Sequence, residues 1–196
     1  MVQILKEEIR QAIIRHAKDE FLEHGFAKAS LKRIAGKVGV SVGNLYRYFD
    51  NKEKLYDHIV SCIYPYLEKL TQKRLKEPIP DEEFKLKAIV LALNELAPDD
   101  VRIPLLILMD GSAGTKHEHA NLIWREWMRD NVIGHLHVYN DLKQEVKFSD
   151  DTAGPIAVAF LEGFLEIMRQ NCDDEARASI VQQYVLFWYT GLKSFI

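Results

Sequence analysis

The sequence predicts an all-α fold, in which a three-helix N-terminal domain precedes a larger helical C-terminal domain. Apolar residues recur three and four positions apart along most of the chain, as on the buried face of an amphipathic helix. Serine, asparagine or aspartate precedes several of these segments and glycine or proline follows them, as expected at helix ends. The 196 residues are 47% hydrophobic, so the chain can bury a substantial core. We place the domain boundary between residues 51 and 52, with residues 52–76 as a connecting helix.

The first helix is predicted from Lys6 to His24. Its apolar residues lie four positions apart and therefore share one face. They are Ile9, Ile13, Ala17 and Phe21. Gly25 is expected to end the helix, and the apolar face should pack against the two helices that follow.

The second helix is predicted from Leu31 to Val38. Its apolar stripe is Leu31, Ile34, Ala35 and Val38. The Ser30 hydroxyl can cap its first turn, and Gly39 can take the left-handed conformation that ends a helix at little steric cost.

The third helix is predicted to begin at Val42, capped by Ser41, and to turn Leu45 and Phe49 toward the second helix. Its outer face has small, amide, aromatic and cationic side chains, with no carboxylate before Asp50. These outer residues are Val42, Gly43, Asn44, Tyr46, Arg47 and Tyr48. Two helices joined by a glycine-containing turn form the helix-turn-helix plan, whose second helix enters the DNA major groove. An ordinary helical hairpin is the alternative, and the lack of acidic residues on the outer face favours DNA.

The charge distribution supports a polyanionic partner. Residues 1–54 contain 11 lysines and arginines against 7 acidic residues, whereas residues 55–196 contain 15 against 22. Between Lys28 and Lys54 there are 7 basic residues and 2 acidic ones. A basic segment on an acidic chain favours DNA binding by the N-terminal end, because neutralised phosphates supply most sequence-independent affinity.

Residues 29–55 resemble the DNA-binding region of the TetR family of bacterial transcriptional regulators. The resemblance rests on the segments SLKRIA, GVSVGNLYRYF and NKEKL, and beyond them only length and helical pattern agree. It implies that the DNA backbone is contacted by Ser30, Ser41, Tyr48 and Lys52, and the groove is approached by Val42, Gly43, Asn44, Tyr46 and Arg47. Asn44 and Arg47 have donors suited to adenine and guanine edges. Val42 departs from the lysine often found there in the family, which removes one phosphate contact.

A connecting helix is predicted to open at Lys52, after a cap at Asp50 or Asn51. A lysine in a first turn opposes the helix dipole, whereas a helix N-terminus can bind phosphate, and such a local conflict is typical of a functional residue. Pro65 should bend this helix.

Two more helices are predicted after the proline-rich boundary at residues 78–80. One runs from Asp81, which can cap it, to Pro98, with Phe84, Ala88, Leu91 and Leu96 on its buried stripe. Residues 99–110 contain IPLLILM, which fits a buried strand or a helix, and the helical surroundings favour a helix.

Residues 116–144 are predicted to form a long helix with three large apolar side chains on one face. The cluster suits an apolar ligand cavity and suits an ordinary core equally well. The candidate pocket residues are Met109, Trp124, Trp127, Met128, Phe160 and Phe164. The pairs His117/His119 and His135/His137 turn to different faces at a spacing of two, so we predict no metal site and no cofactor.

The last two helices, residues 151–172 and 174–195, are apolar on more than one face and must be covered on more than one side. A second copy of the same pair would cover them in a two-fold symmetric four-helix interface. The candidate interface residues are Ile156, Phe160, Ile167, Tyr184, Phe187 and Trp188. The alternative is that both helices form the interior of a monomer.

The N-terminal segment MVQILKEEIR lacks the apolar region of a signal peptide. The longest apolar run, Ile103–Met109, is far shorter than the roughly 18–20 residues of a membrane span. We therefore expect a cytoplasmic protein. Cys62 and Cys172 fit no metal or redox spacing and are expected to be buried, reduced thiols.

These features predict a sequence-specific DNA-binding transcriptional regulator, in which two recognition helices of a homodimer read a palindromic operator. By the resemblance it is a repressor, released when a small apolar effector shifts the connecting helix. The alternative is a constitutive DNA-binding dimer without an effector. An enzyme is not predicted, because no nucleophile with a base, metal set or cofactor loop is recognisable.

Overall fold

The computed structural model describes residues 2–72, 82–142 and 147–194, and every regular element in these ranges is helical. The α-helices are α1 (Val2–Lys28), α2 (Leu31–Val38), α3 (Val42–Leu45), α4 (Lys52–Val60), α5 (Tyr64–Gln72), α6 (Glu82–Asn94), α7 (Asp99–Gly111), α8 (Ala120–Leu142), α9 (Ala153–Arg169) and α10 (Asp174–Ser194). Single 3-10 turns occur at Ser61–Ile63 and Asp150–Thr152. The all-α fold is confirmed, including the helix at residues 99–111 that periodicity alone left open. None of the described helices is long and apolar enough to cross a membrane.

The chain divides into two compact units. The first unit contains Met1–Pro65 and Ile103–Ala120, and the second contains Tyr66–Arg102 and Asn121–Ile196. These units come from packing alone, and the functional boundary between residues 51 and 52 stays a prediction.

The core of the first unit is built on the predicted face of α1. Ile13 and Ala17 are fully buried and Phe21 is almost so. The Phe21 and Tyr56 rings meet edge to face, with 5.1 Å between their centroids. The Tyr56 hydroxyl donates to the Ile107 carbonyl at 2.9 Å, which fastens α7 to α4 within this unit. Burial raises the pKa of Tyr56 well above its usual value, so this donor keeps its proton.

Gly25 breaks α1 where the sequence predicted its end. Its φ of 68° and ψ of 168° are non-helical, and one further helical turn follows to Lys28. A Cβ on Gly111 would lie 3.2 Å from the Gly25 Cα atom. Glycine at both positions therefore allows the backbones of α1 and α7 to approach closely.

The predicted connecting helix is interrupted. Asn51 caps α4 by accepting from the Lys54 N–H at 2.8 Å, as predicted. The helix then tightens into the 3-10 turn at Ser61–Ile63 and resumes as α5, which contains Pro65. Proline cannot donate a backbone hydrogen bond, so the break falls where the bend was expected. Residues 73–76 and the predicted cap at Asp81 lie outside the described residues.

The second unit is built around α9, whose residues Ala157, Leu161, Phe164, Leu165 and Met168 are buried. The buried stripe predicted on α6 is wrong at Leu91, which is 66% exposed, whereas Leu93 is buried. The long helix predicted from residue 116 begins at Ala120, because residues 112–119 form hydrogen-bonded turns. Cys62 is exposed and Cys172 half-buried, so the expectation of buried thiols is also wrong.

Candidate nucleic-acid interface

The two ends of α2 are fixed by local hydrogen bonds. The Ser30 hydroxyl accepts from the Arg33 N–H at 3.4 Å, and Gly39 ends the helix in the left-handed conformation with φ 78°. The Val40 N–H then donates to the Ala35 carbonyl at 3.0 Å, which closes the turn. Both predicted caps are confirmed.

The third helix is short and begins at its predicted cap. The Ser41 hydroxyl accepts from the Asn44 N–H at 3.1 Å. After Val42–Leu45, the Phe49 N–H still donates to the Leu45 carbonyl at 3.2 Å, so the helical path continues for another turn. Leu45 is fully buried and Phe49 is 6% exposed. These two side chains anchor the segment as predicted.

The opposite face of this segment is open to solvent. Of its six residues, three are exposed and three are half-buried. The exposed residues are Gly43, Tyr46 and Arg47, and the half-buried ones are Val42, Asn44 and Tyr48. The face therefore presents amide, phenol and guanidinium groups, which are the donors that DNA bases and phosphates accept. Contact with a groove stays a prediction.

The residues predicted to contact the DNA backbone differ in whether they still have a hydrogen-bond donor available for a phosphate. The Ser30 and Ser41 hydroxyls accept from backbone N–H groups and retain an O–H donor. The Lys52 ammonium, in contrast, donates to the Phe26 carbonyl at 2.7 Å and the Ala29 carbonyl at 3.2 Å. The phosphate contact predicted for Lys52 would have to displace these bonds.

The buried carboxylate of Glu20, which the sequence did not predict as a site residue, binds residues at the start of α2. Glu20 is 1% exposed, and its Oε1 accepts from the Ser30 N–H and the Arg33 Nε–H, both at 2.8 Å. Burial opposes ionisation of Glu20, but the Arg33 guanidinium and the Ser30 amide outweigh it and lower its pKa below the usual value. Glu20 follows Ile13 by seven positions and Ala17 by three, so it lies on the apolar face of α1. An acidic residue on that face is the sequence feature that could have predicted its burial.

A second polar cluster of the first unit joins α4 to the turns after α7. Asp57 accepts from the Lys116 ammonium at 2.7 Å and pairs with the His117 Nε2 at 2.8 Å. The His117 Nδ1 meets the Tyr64 hydroxyl. The hydrogen bond from Lys116 is the main reason that the pKa of Asp57 lies below its usual value. His117 is thus a buried structural residue, and the cluster borders a cleft of about 110 Å³.

The candidate pocket residues fall into separate groups. Trp124 is 5% exposed and Phe164 is fully buried, and their rings meet edge to face at 6.3 Å. Trp127 and Met128 are half-buried on the same helix. Among the described residues, the indole N–H of Trp124 has no hydrogen-bond acceptor.

The remaining two pocket candidates are Met109 and Phe160. Met109 belongs to the first unit. The Phe160 ring packs against α10, with centroids 5.4 Å from Tyr184 and 5.8 Å from Trp188. The pocket as a whole therefore stays a prediction.

Four of the six candidate dimer residues form an aromatic cluster on α9 and α10, namely Phe160, Tyr184, Phe187 and Trp188. Phe187 is 73% exposed beside the Trp188 ring, whereas Ile167 is 5% exposed within the single chain and has little surface left for a partner. Ile156 is half-buried and packs on the buried cluster formed by Val132, Leu136, Ala153 and Ala157. The interface stays a prediction.

The amino-acid sequence matches the family model for bacterial regulatory proteins of the tetR family over residues 13–59. It is 31% identical over 168 residues to the HTH-type transcriptional repressor BepR of Brucella suis biovar 1, covering 81% of this chain and 79% of BepR.

Two solved structures share the fold at low sequence identity. One is a TetR-family transcriptional regulator from Bordetella parapertussis, with a TM-score of 0.64 and 21% identity over 93% of this chain and 94% of that one. The other is NalD, the secondary repressor of the MexAB-OprM multidrug efflux pump in Pseudomonas aeruginosa. Its TM-score is 0.55 at 21% identity, with 93% of this chain and 95% of NalD covered.

Proposed function

Because the chain belongs to the TetR family of bacterial regulatory proteins and is thus a DNA-binding transcriptional regulator, we propose that it represses transcription as a homodimer on a palindromic operator and is released by a small effector. The observation that carries the proposal is the two-sided segment Val42–Phe49. Leu45 and Phe49 are buried, while the amide, phenol and guanidinium side chains face outward. Repression is supported by the name of BepR.

The basic residues between Lys28 and Lys54 fit a phosphate-binding surface. Among the seven between Lys28 and Lys54, Arg33 and Lys52 are bound within the protein. The other five are exposed: Lys28, Lys32, Lys37, Arg47 and Lys54. Exposed cations can release counterions from DNA, which favours binding to any duplex.

In the proposed complex, Ser30, Ser41 and Tyr48 bind the DNA backbone. The groove is approached by Val42, Gly43, Asn44, Tyr46 and Arg47. Arg47 can donate two hydrogen bonds to a guanine edge, and Asn44 can pair with an adenine edge. Lys52 is left out of this set, because its ammonium is bound to backbone carbonyls.

Selection of bound sequences from a random duplex pool tests the DNA-binding proposal. We expect enrichment of a two-fold symmetric site, with half-sites about one helical turn or a multiple of it apart. Enrichment of a single half-site would contradict the homodimer on a palindrome, and no enrichment would contradict sequence-specific binding.

Arg47→Ala then tests the base contact. The variant should bind the selected operator about 1–3 kcal/mol more weakly while its affinity for random duplex changes less. Equal losses on both duplexes would reassign Arg47 to a phosphate contact. Titrations at a fixed salt concentration measure both affinities.

The proposed dimer uses the aromatic face of α9 and α10, where Phe187 is the most exposed large apolar residue. Phe187→Glu should convert the dimer into a monomer, because a charge would be buried without a partner. Leu122→Glu is the matched control, since it places the same charge on a residue of α8 that is 56% exposed. Sedimentation equilibrium measures both, and a wild-type monomer would contradict the proposal.

The effector proposal is supported by the burial of Trp124 against the Phe164 ring and by its indole N–H, which has no acceptor among the described residues. A ligand that offers an acceptor to this group would satisfy a buried donor. Thermal melting with a panel of lipophilic carbonyl compounds should give a shift that Trp124→Phe reduces, and binders should weaken operator affinity. If no compound changes operator affinity, the constitutive dimer is favoured.

A further inference from the structure

The Lys52 side chain reaches back from the first turn of α4 to the end of α1. Its ammonium donates to the Phe26 carbonyl at 2.7 Å, the Ala29 carbonyl at 3.2 Å and, more weakly, the Ala27 carbonyl at 3.5 Å. The same nitrogen lies 4.4 Å from the centroid of the Phe26 ring. A lysine has three N–H donors, and three carbonyl oxygens lie within 3.5 Å of this nitrogen.

These carbonyls are the acceptors that the end of a helix leaves unpaired. They lie at or just after the last turn of α1, where the helix dipole also favours a cation. The bonds to Phe26 and Ala29 are partly buried. Moving the ammonium to a DNA phosphate would leave these carbonyls without that donor, which opposes the move.

The same turn is also bonded to Glu20 and Arg33. Glu20 accepts from the Ser30 N–H at 2.8 Å, and the Arg33 guanidinium donates to the Lys28 carbonyl at 3.0 Å while also pairing with Glu20. The turn from α1 to α2 therefore makes hydrogen bonds both with a carboxylate from α1 and with an ammonium from α4. Both charges act on backbone groups within five residues of the α2 cap.

The orientation of α3 depends on this turn. Ser30 caps α2, and α2 supplies the buried residues Ile34 and Ala35. Only four residues form α3, so its direction is set by its neighbours rather than by its own length. A displacement of the α2 start would move the exposed face of Val42–Tyr48 with it.

We propose that Lys52 is a positioning residue, which fixes the start of α2 through the carbonyls of the α1–α2 turn, and that it is not a phosphate contact. The role in DNA binding rests on the proposed function. The role of Lys52 in holding the α1–α2 turn does not rest on the proposed function, and it can be tested without DNA.

The decisive comparison is between Lys52→Met and Lys54→Met. Both remove one positive charge from α4. Lys54 is exposed and belongs to the proposed phosphate-binding surface, so Lys54→Met should lower the salt slope and leave Tm unchanged. Operator affinity is measured over a series of salt concentrations, at a temperature where all proteins are folded. We expect Lys52→Met to weaken operator binding about tenfold or more, to keep the wild-type salt slope and to lower Tm by about 5 °C.

Two results would overturn the positioning role. A salt slope smaller by about 0.9 with an unchanged Tm would identify a phosphate contact. A lower Tm with unchanged operator affinity would mean that Lys52 only stabilises the fold. Lys52→Arg should recover most of the affinity, because the guanidinium also has donors for the carbonyls.

Amide hydrogen exchange separates this inference from the proposed function. In Lys52→Met, but not in Lys54→Met, the amides of Ser30 and Ile34 should exchange faster, because they donate to Glu20 and to the Ser30 carbonyl. Unchanged exchange would contradict the inference. If the wild-type protein binds no duplex, the proposed function fails, and the exchange result still decides whether Lys52 holds the turn.

The wild-type protein gives the answer if Lys52→Met does not fold. A hydrogen-bonded ammonium exchanges its protons slowly, so the side-chain NH₃⁺ resonance of Lys52 should be observable by NMR and that of Lys54 broadened. Addition of operator duplex should leave the Lys52 resonance in place. A large shift on binding would overturn the inference.

Discussion

The segment Ser30–Phe49 and the pair α9–α10 are held in place by different means. In the first, hydroxyl groups of Ser30 and Ser41 cap short helices, and Gly39 supplies a left-handed turn. In the second, Tyr184 contacts α9 with its ring and its hydroxyl, and Phe164 is fully buried against the Trp124 ring.

The difference teaches where each kind of function can be placed. Capping bonds contribute about 1 kcal/mol each and act on residues three positions away, so they fix the shape of a small surface with few atoms. Buried aromatic side chains contribute several kcal/mol each, but they need neighbours from other helices. A DNA-reading surface can thus be built on short, local elements, whereas a subunit contact needs long helices with a large apolar area.

The largest expected effect is from Phe164→Ala. Phe164 is fully buried and meets the Trp124 ring, so the variant should lose about 3–5 kcal/mol of the free energy of unfolding. Urea denaturation at several protein concentrations measures it. Phe187→Ala is the control, because Phe187 is 73% exposed, and its effect should depend on protein concentration through the dimer. Equal, concentration-independent losses would contradict the comparison.

A smaller effect is expected from Gly163→Ala. A Cβ on Gly163 would overlap the Tyr184 hydroxyl, which donates to the Phe160 carbonyl at 2.7 Å, so the variant should lose about 1–3 kcal/mol. Gly134→Ala is the matched control on α8, where no described heavy atom lies within 4 Å of the added carbon apart from its chain neighbours and the adjacent helix backbone. It should stabilise by up to about 1 kcal/mol, since alanine favours a helix. A stabilising Gly163→Ala would refute the close packing of Tyr184.

The cap of α3 should have a smaller effect on stability than either core change. Ser41→Ala removes the acceptor for the Asn44 N–H and should lose about 1 kcal/mol. Ser41→Asp keeps an acceptor and should preserve stability. Hydrogen exchange at the Asn44 amide reports the cap directly, and an unchanged rate in Ser41→Ala would show that the hydroxyl does not hold α3.

The smallest effect is expected from the pH dependence of Asp57. Its pKa is lowered chiefly by the hydrogen bond from Lys116, so the folded protein holds its ionised form more favourably than the unfolded chain does. This contribution is therefore present above the usual carboxyl range and is lost as the pH falls through the lowered pKa. Urea midpoints of wild type and Asp57→Asn should differ at neutral pH and converge as the pH falls below the usual carboxyl range. A difference between the urea midpoints that stays constant with pH would contradict this contribution of Asp57.

Much of the helix-turn-helix region could be predicted, because the residues that begin and end its helices act on nearby backbone groups. Ser30, Gly39, Ser41 and Asn51 each act on backbone groups within four residues, so their roles follow from sequence spacing. Glu20 and Lys52 act over 10 residues or more, and no periodic pattern pairs them with Ser30 or Ala29. Leu91 shows the same limit on α6, because an apolar residue at helical spacing can still lie on the solvent side.

The sequence by itself determined that the chain is helical, where α2 begins and ends, where α3 and α4 begin, and which face of Val42–Phe49 points inward, because caps and apolar spacing act within one or two turns. The tertiary structure decided that the Lys52 ammonium binds the end of α1 and that His117 joins Asp57 to Tyr64. It also decided that residues 103–120 pack with residues 1–65. Those outcomes depend on which distant groups a folded chain brings within hydrogen-bond distance. Residue spacing along the chain does not contain that information.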